Sequence, residues 1–300
     1  LKAISKIILA AILVIGIAAA YSIADAANKA DPAVKSADKR NLRFAVHPYL
    51  SPGEIFSRFI PLADYLSGKL GQEVILEVSS DYSEHTENIG TGNTDLAFMG
   101  PAAYVSLTER HASHYPLLAA IEVDGRSTFR GVIVVKDGSR IRHLTDLIGK
   151  TFAFGDKRST MSHIVPRYML LEEGVPAAAL KSYSFLTNHE NVALSVLYGK
   201  YDAGAVKYEV FEDYKFSGLK ALARTPLISE HIFVASPKLP PALVRRIREA
   251  LLDLNTSEDG FSILFPIKNN ITGLVPASDH DYDNLRRMMR TLEASGAIRR

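Results

Sequence analysis

TFAFGDKRSTMSHIVPRYMLL, residues 151–171, changes its periodicity twice. Phe152 and Phe154 alternate with smaller residues as in a strand, Gly155-Asp156 open a polar turn, and the residues beyond it carry a helical apolar pattern. The unit is strand, turn, helix. Ser159, Thr160 and Ser162 stand in the turn. The first backbone N–H groups of a helix have no partner within it and carry the positive end of its dipole, so this place is a seat for an anion. The same hydroxyls are good N-caps, and from the pattern alone capping and anion binding are both open. Pro166 lacks an N–H and fits best in a first turn, so the helix is expected to begin near His163, with the hydroxyls in the loop or at the cap. Lys157 and Arg158 add positive charge beside them.

On either side the chain repeats this alternation. The segment 42–46 reads as a strand and 74–78 as another. Between them Ile55, Phe59, Leu62, Leu66 and Leu70 mark one face of a helix that Gly71 ends. This β-α-β opening predicts parallel strands joined by helices. Gly92-Asn93-Thr94-Asp95 followed by LAFM returns about a hundred residues later as Gly199-Lys200-Tyr201-Asp202 followed by AGAV, each time after a helix. We read the pair as two similar α/β series. The second takes in strands at 133–135 and near 183–185, a helix at about 190–198, the Asp202 strand and the segment 219–227. The chain enters it near Arg130 and leaves near Ile228. The expected division is a first lobe of 41–129 and 229–300 and a second of 130–228, with the two crossings forming a hinge. A strand at 231–235, a helix at 241–254 and a basic helix at about 282–294, expected on the first lobe, complete the chain.

Composition narrows the function. With 300 residues, 47% of them hydrophobic, the chain is long enough for two domains. Its 35 basic and 33 acidic residues are interspersed, with no long basic run, which argues against a nucleic-acid partner. The absence of cysteine excludes disulfides, thiolate metal sites, a cysteine nucleophile and a lipidated N-terminal cysteine. Lys2 and Lys6 precede an uncharged apolar run from Ile7 to Ala24, and Ala24-Asp25-Ala26 offers a small-x-small cleavage pattern. Residues 1–26 therefore read as an export signal, with 27–40 as a linker. Cleavage is the favoured reading and an uncleaved membrane anchor the alternative.

In parallel α/β sheets ligands bind outside the carboxyl ends of strands, where Tyr49 and Tyr104 both fall. His189 precedes the helix after the 183–185 strand and joins them as a candidate. Asp95 and Asp202 each open a strand and read as structural caps. His111 and His114 have no carboxylate at ligand spacing, so no metal is expected. Neither a G-x-S-x-G elbow nor a Walker loop occurs, and neither enzymatic activity nor a cofactor is expected.

STMSHIVPRYML, the GPAAY turn, NHENVALSVLYGKYDAGAV and the export signal together resemble the periplasmic binding proteins for phosphonate, phosphite and phosphate-like oxyanions that serve ABC importers. The resemblance covers about residues 42–254. It implies the type II periplasmic-binding-protein fold, two α/β lobes with a two-strand hinge closing on a ligand. By the resemblance Tyr49 and Tyr104 contribute from the first lobe, while Ser159, Thr160 and His189 hold the phosphorus oxygens from the second, and Ser162 of the same loop is counted with them as a ligand-binding residue. Where the family reads STSG, this chain has Met161 for the second serine and Ser162 for the glycine, a departure that bears on the donors and the room in the pocket. Glu209 and Glu230 lie where members that bind an aminoalkyl phosphonate place acidic residues. The implied protein is a monomer working with an ABC permease. The alternative is a membrane-anchored sensory module that binds a similar oxyanion and signals to a partner.

Overall fold

The computed structural model describes residues 40–111 and 113–298. The expected signal or anchor segment and nearly all of the linker lie outside them. The chain begins with β1 (Leu42–Val46), α1 (Pro52–Leu70), β2 (Val74–Val78), α2 (Tyr82–Thr91), β3 (Leu96–Met99), α3 (Pro101–His111) and β4 (Leu117–Val123). Helix α1 starts with a capping box, Ser51 and Glu54 each accepting the other's backbone N–H, and stops at Gly71, whose φ of +68° suits glycine. Its face Ile55, Phe59, Leu62, Leu66 and Leu70 is buried, as its spacing requires.

A short strand β5 (Thr128–Phe129) leads to β6 (Gly131–Lys136), β7 (Thr151–Phe154), a π-helical turn (Thr160–Ile164) continuous with α4 (Val165–Glu172), and β8 (Ser182–Phe185). Then come α5 (His189–Leu197), β9 (Ala203–Lys207), α6 (Tyr208–Tyr214) and β10 (Leu219–Arg224). The chain returns through β11 (Ile228–Ser229) to β12 (Ile232–Ala235), followed by α7 (Pro241–Asp253), α8 (Gly260–Leu264), β13 (Ile271–Val275) and α9 (Asp283–Ala294).

Two mixed sheets result, ordered β13-β4-β12-β3-β1-β2 and β10-β6-β9-β7-β8. Their plans correspond. In each, three parallel strands lie together, and an antiparallel strand that has come from the other sheet, β12 or β6, flanks the third of them. The passages between sheets pair with each other, Ile228 opposite Phe129 and Ser229 opposite Thr128. Both faces of the inner strands are covered, which explains their nearly unbroken apolar runs. In β6, Ile133 and Val135 enter one core while Val132 and Val134 enter the other.

The repeated G-x-x-D acquires a physical role. Gly92 and Gly199 adopt φ of +74° and +70°, the left-handed backbone in which the preceding helices stop. Asp95 then accepts a hydrogen bond from the Arg43 N–H at 2.9 Å, and Asp202 accepts from the Thr151 N–H at 2.8 Å. Each aspartate thus ties its own strand to the start of the adjacent parallel strand, β1 or β7.

One expectation needs correction. Helix α9 does not pack on the first lobe alone: Leu285, Met288, Met289 and Leu292 share a core with Tyr104 and Val105 of α3 and with Ile164 and Val165 of the second series. The helix after β7 carries apolar residues on two faces, so it can face its own sheet and α9 together.

Replacing Asp95, which is buried, by alanine leaves the Arg43 N–H without its acceptor and is expected to cost about 1–3 kcal/mol in urea unfolding. Asp202→Ala, at an exposed position, is expected to cost less. Equal losses would contradict this account.

Candidate functional site

Residues that follow the carboxyl ends of β1, β2, β3, β7, β8 and β9 line one cleft of about 650 Å³. Several helix N-termini come to it. Helix α3 starts immediately after Gly100, the π-helical turn starts at Thr160, and α5 starts at His189. The first two touch: the Ala102 N–H donates to Thr160 Oγ1 at 3.1 Å. Ser159 caps the turn, its Oγ accepting from the Ser162 N–H at 3.1 Å, which leaves its own O–H free to donate. Capping and access to the cleft therefore coexist at Ser159.

Two further donors, His189 and Tyr49, are neutral as well. His189 Nδ1 accepts the Lys207 N–H at 3.0 Å, so in the neutral ring the proton resides on Nε2. Burial, aided by the charge of Lys207, pushes the His189 pKa down to about 3. Burial also raises the Tyr49 phenol to about 12, which keeps it an O–H donor; in this structure it reaches the Ile267 carbonyl at 3.5 Å. His47 and His231 stack with ring centroids 5.4 Å apart. Their Nδ1 atoms engage the Phe98 carbonyl at 3.1 Å and the Glu230 carboxylate at 3.0 Å respectively. Their Nε2 atoms flank Gly100, where a Cβ would sit 3.6 Å from that of His231 and 4.0 Å from that of His47.

Charges are distributed on both sides of the balance. Arg58, Arg158, Lys207 and Lys268 line the cleft, as do Glu54, Asp156, Glu190, Glu209 and Asp213. Behind them Glu230 is fully buried. Burial alone would raise its pKa, but the hydrogen bond from His231 and the charge of Lys268 outweigh it and lower the value to about 2.

Of the residues singled out in the sequence, Tyr49, Ser159, Thr160, His189 and Glu209 line the cleft together. Tyr104 and Ser162 do not. The chain turns into α3 at Pro101, so Tyr104 lies one helical turn beyond the strand end, where Gly100 and Ala103 face the cleft instead. Its ring packs 4.8 Å from Tyr282 and its hydroxyl donates to Asp279 at 2.7 Å. Ser162 belongs to a helical turn that starts at Thr160, earlier than Pro166 suggested; being π-helical, it places Ser162 against Gly155 with its hydroxyl donating to the Ala205 carbonyl. Met161 is buried too, with Thr225 Oγ1 at 3.6 Å from its sulfur. His47, Lys207, His231 and Lys268 were missed. Lys207 closes β9 as Met99 closes β3, so the strand-end rule could have found it. Lys268 sits in a region without periodicity and gave no signal.

Two sheets joined by paired crossings, with a cleft at their strand ends lined by helix N-termini and neutral donors, define a two-lobed solute-binding protein. A family model described as "ABC transporter, phosphonate, periplasmic substrate-binding protein" matches residues 44–282, and the chain belongs to that family. It is an extracytoplasmic substrate-binding component of an ABC importer and not an enzyme. The phosphate-import protein PhnD of Mycolicibacterium smegmatis is 28% identical over 270 residues, 82% of this chain and 84% of that protein. The probable ABC transporter phosphite binding protein PhnD1 of Prochlorococcus marinus is 23% identical, over 78% of this chain and 84% of that one. The solved structure of PhnD1 from Prochlorococcus marinus with methylphosphonate superposes with a TM-score of 0.74 at 23% identity, covering 85% of this chain and 99% of that one.

His189, at about 3, and His85 and His163, each at about 4, stay neutral in the folded chain, and burial lowers His47 as well. Below their ordinary value of 6.5 the unfolded chain binds protons that the folded chain refuses, so stability falls as pH falls. Urea midpoints are expected to drop steeply between pH 6.5 and 5, with proton uptake on unfolding approaching about four per molecule from these groups. A flat profile over that range would show that they are not held neutral.

Proposed function

We propose that the cleft captures a small phosphorus oxyanion, a phosphonate, phosphite or phosphate, between a first lobe of residues 41–129 and 229–300 and a second of 130–228. The observation that carries this reading is the convergence of uncharged donors from both sheets: Tyr49 from one, and Ser159, Thr160 and the Nε2–H of His189 from the other. An oxyanion is strongly hydrated, and its capture needs prearranged donors that replace water; micromolar affinity corresponds to about −8 kcal/mol. Helix N-termini add a favourable field without a competing hydration shell.

Because donors come from two lobes, the ligand makes its full set of contacts only when the lobes are closed, and that difference shifts the equilibrium toward closure. Thr160 already accepts from Ala102 across the cleft, and an oxyanion inserted there would compete for both groups. The names of the relatives, which speak of phosphate, of phosphite and of methylphosphonate, support the phosphorus class without choosing among its members. The family favours delivery to an ABC permease over signalling to a sensor. The protein acts as a monomer, exported by residues 1–26, with cleavage preferred over retention as a tether.

Calorimetry against phosphate, phosphite, methylphosphonate and sulfate is expected to give binding of at least one phosphorus oxyanion, and binding of sulfate alone would refute the proposal. The Ser159→Ala, Thr160→Ala double variant is expected to lose at least about tenfold in affinity while staying folded. The lost cap at Ser159 should cost about 1 kcal/mol of stability. Unchanged affinity would leave these hydroxyls with capping alone.

A further inference from the structure

Lys268 enters the cleft from the loop between α8 and β13. Its ammonium pairs with Glu230 Oε1, lies 3.4 Å from Glu209 Oε1, and stands 5.3 Å from the centre of the Phe129 ring. Two carboxylates and an aromatic face are the surroundings that a bound alkylammonium requires. Here the chain supplies the alkylammonium itself.

The surrounding hydrogen bonds leave the pair committed. Glu230 uses its second oxygen on the backbone N–H and the Nδ1 of His231, both at 3.0 Å, and has no exposed surface of its own. Its charge cannot be left unpaired without a large penalty. Glu209 stands across the cleft on the first turn of α6, with its other oxygen buried and unpartnered. A ligand bearing an ammonium would have to displace a lysine tethered to the backbone, and would meet Lys207 close by.

We propose that Lys268 is a specificity-determining residue, an internal ammonium that fills the cation position between Glu209 and Glu230 and thereby restricts the cleft to oxyanions without an amino group. This assignment rests on the oxyanion reading given above. It makes a ligand amine a liability in the native protein and an asset once the lysine is gone.

The test compares 2-aminoethylphosphonate with propylphosphonate, which match in size and differ in charge, using methylphosphonate as reference. The native protein is expected to bind propylphosphonate at least as tightly as the amine. Lys268→Met is expected to reverse the order by about tenfold or more while still binding methylphosphonate. Because that variant leaves Glu230 unpaired and its folding is at risk, Glu209→Gln gives a second measure: it is expected to change both affinities by the same factor. A native preference of tenfold for the amine, a selective loss of the amine in Glu209→Gln, or a folded Lys268→Met that gains nothing for the amine would overturn the assignment while leaving the oxyanion reading intact. Failure of the native protein to bind any phosphorus oxyanion would overturn both.

Discussion

The pairing of the two crossing segments is the constraint on which the other features depend. β5 and β11 are two residues each, too short to hold together by themselves. Their backbones are fastened by their flanks: the Glu230 N–H donates to the Ser127 carbonyl at 2.8 Å, the Gly131 N–H to Thr225 Oγ1 at 2.8 Å, and the Thr225 N–H to the Gly131 carbonyl at 3.0 Å. Gly131 leaves little room for a side chain, since a Cβ there would lie 3.0 Å from the carbonyl oxygens of Met161 and Val206 and would press on both. Met161, one of the two residues at which this loop departs from the STSG pattern of the resemblance, is therefore packed against the crossing itself, its sulfur 3.6 Å from Thr225 Oγ1, and the loop that presents Ser159 and Thr160 is positioned from there.

A cleft at the end of several helices has a positive field before any side chain is counted. Adding four cations without compensation would make the empty cleft costly through self-repulsion, and the carboxylates along its walls relieve this. His47 and His189 add no charge, because burial and specific Nδ1 partners fix them as neutral rings. What remains for an anion is a set of fixed dipoles and hydroxyls, which gain more from an oxyanion than from water when water is excluded. On the proposed reading, charge in this cleft sets which substituents are tolerated and uncharged donors do the holding.

The fold was legible because it rests on local rules. Alternation at β1 and β7, the four-three-four-four steps of α1, and the repeated glycine and aspartate before β3 and β9 each follow from short-range geometry, and the division into two sheets follows from counting such units. The lining of the cleft was legible only where it coincides with a strand end, as at Tyr49 and His189. Tyr104 was misplaced because a helix rotates each residue by about 100°, so the difference between Ala103 and Tyr104 is the difference between facing the cleft and facing the core. Ser162 was misplaced because a π-helical turn carries an extra residue, which no pattern of apolar spacing announces. Lys268 and Glu230 are 38 residues apart, and Lys268 follows the 241–254 helix in a segment with no period to place it.

The contact of α9 with both series alters what closure of the cleft involves. Helix α4 is contiguous with the turn that presents Thr160, yet Ile164 and Val165 share a core with Leu285 and Met288 of α9 and with Val105 of α3. Arg167 adds a hydrogen bond from its guanidinium to the Ala297 carbonyl at 3.3 Å. Packed cores have discrete arrangements and resist continuous sliding. Opening the cleft must therefore either slide α4 over both α3 and α9 or carry α9 with the second sheet, peeling Tyr282 from Tyr104. The first preserves the Tyr104–Tyr282 contact and the bond from Tyr282 to the Glu230 carbonyl at 3.1 Å, whereas the second breaks both. Keeping α9 with the first sheet costs the Arg167–Ala297 bond and the core shared by α4 and α9, which the second motion keeps, and in either case the turn bearing Ser159 and Thr160 is continuous with α4 and travels with it.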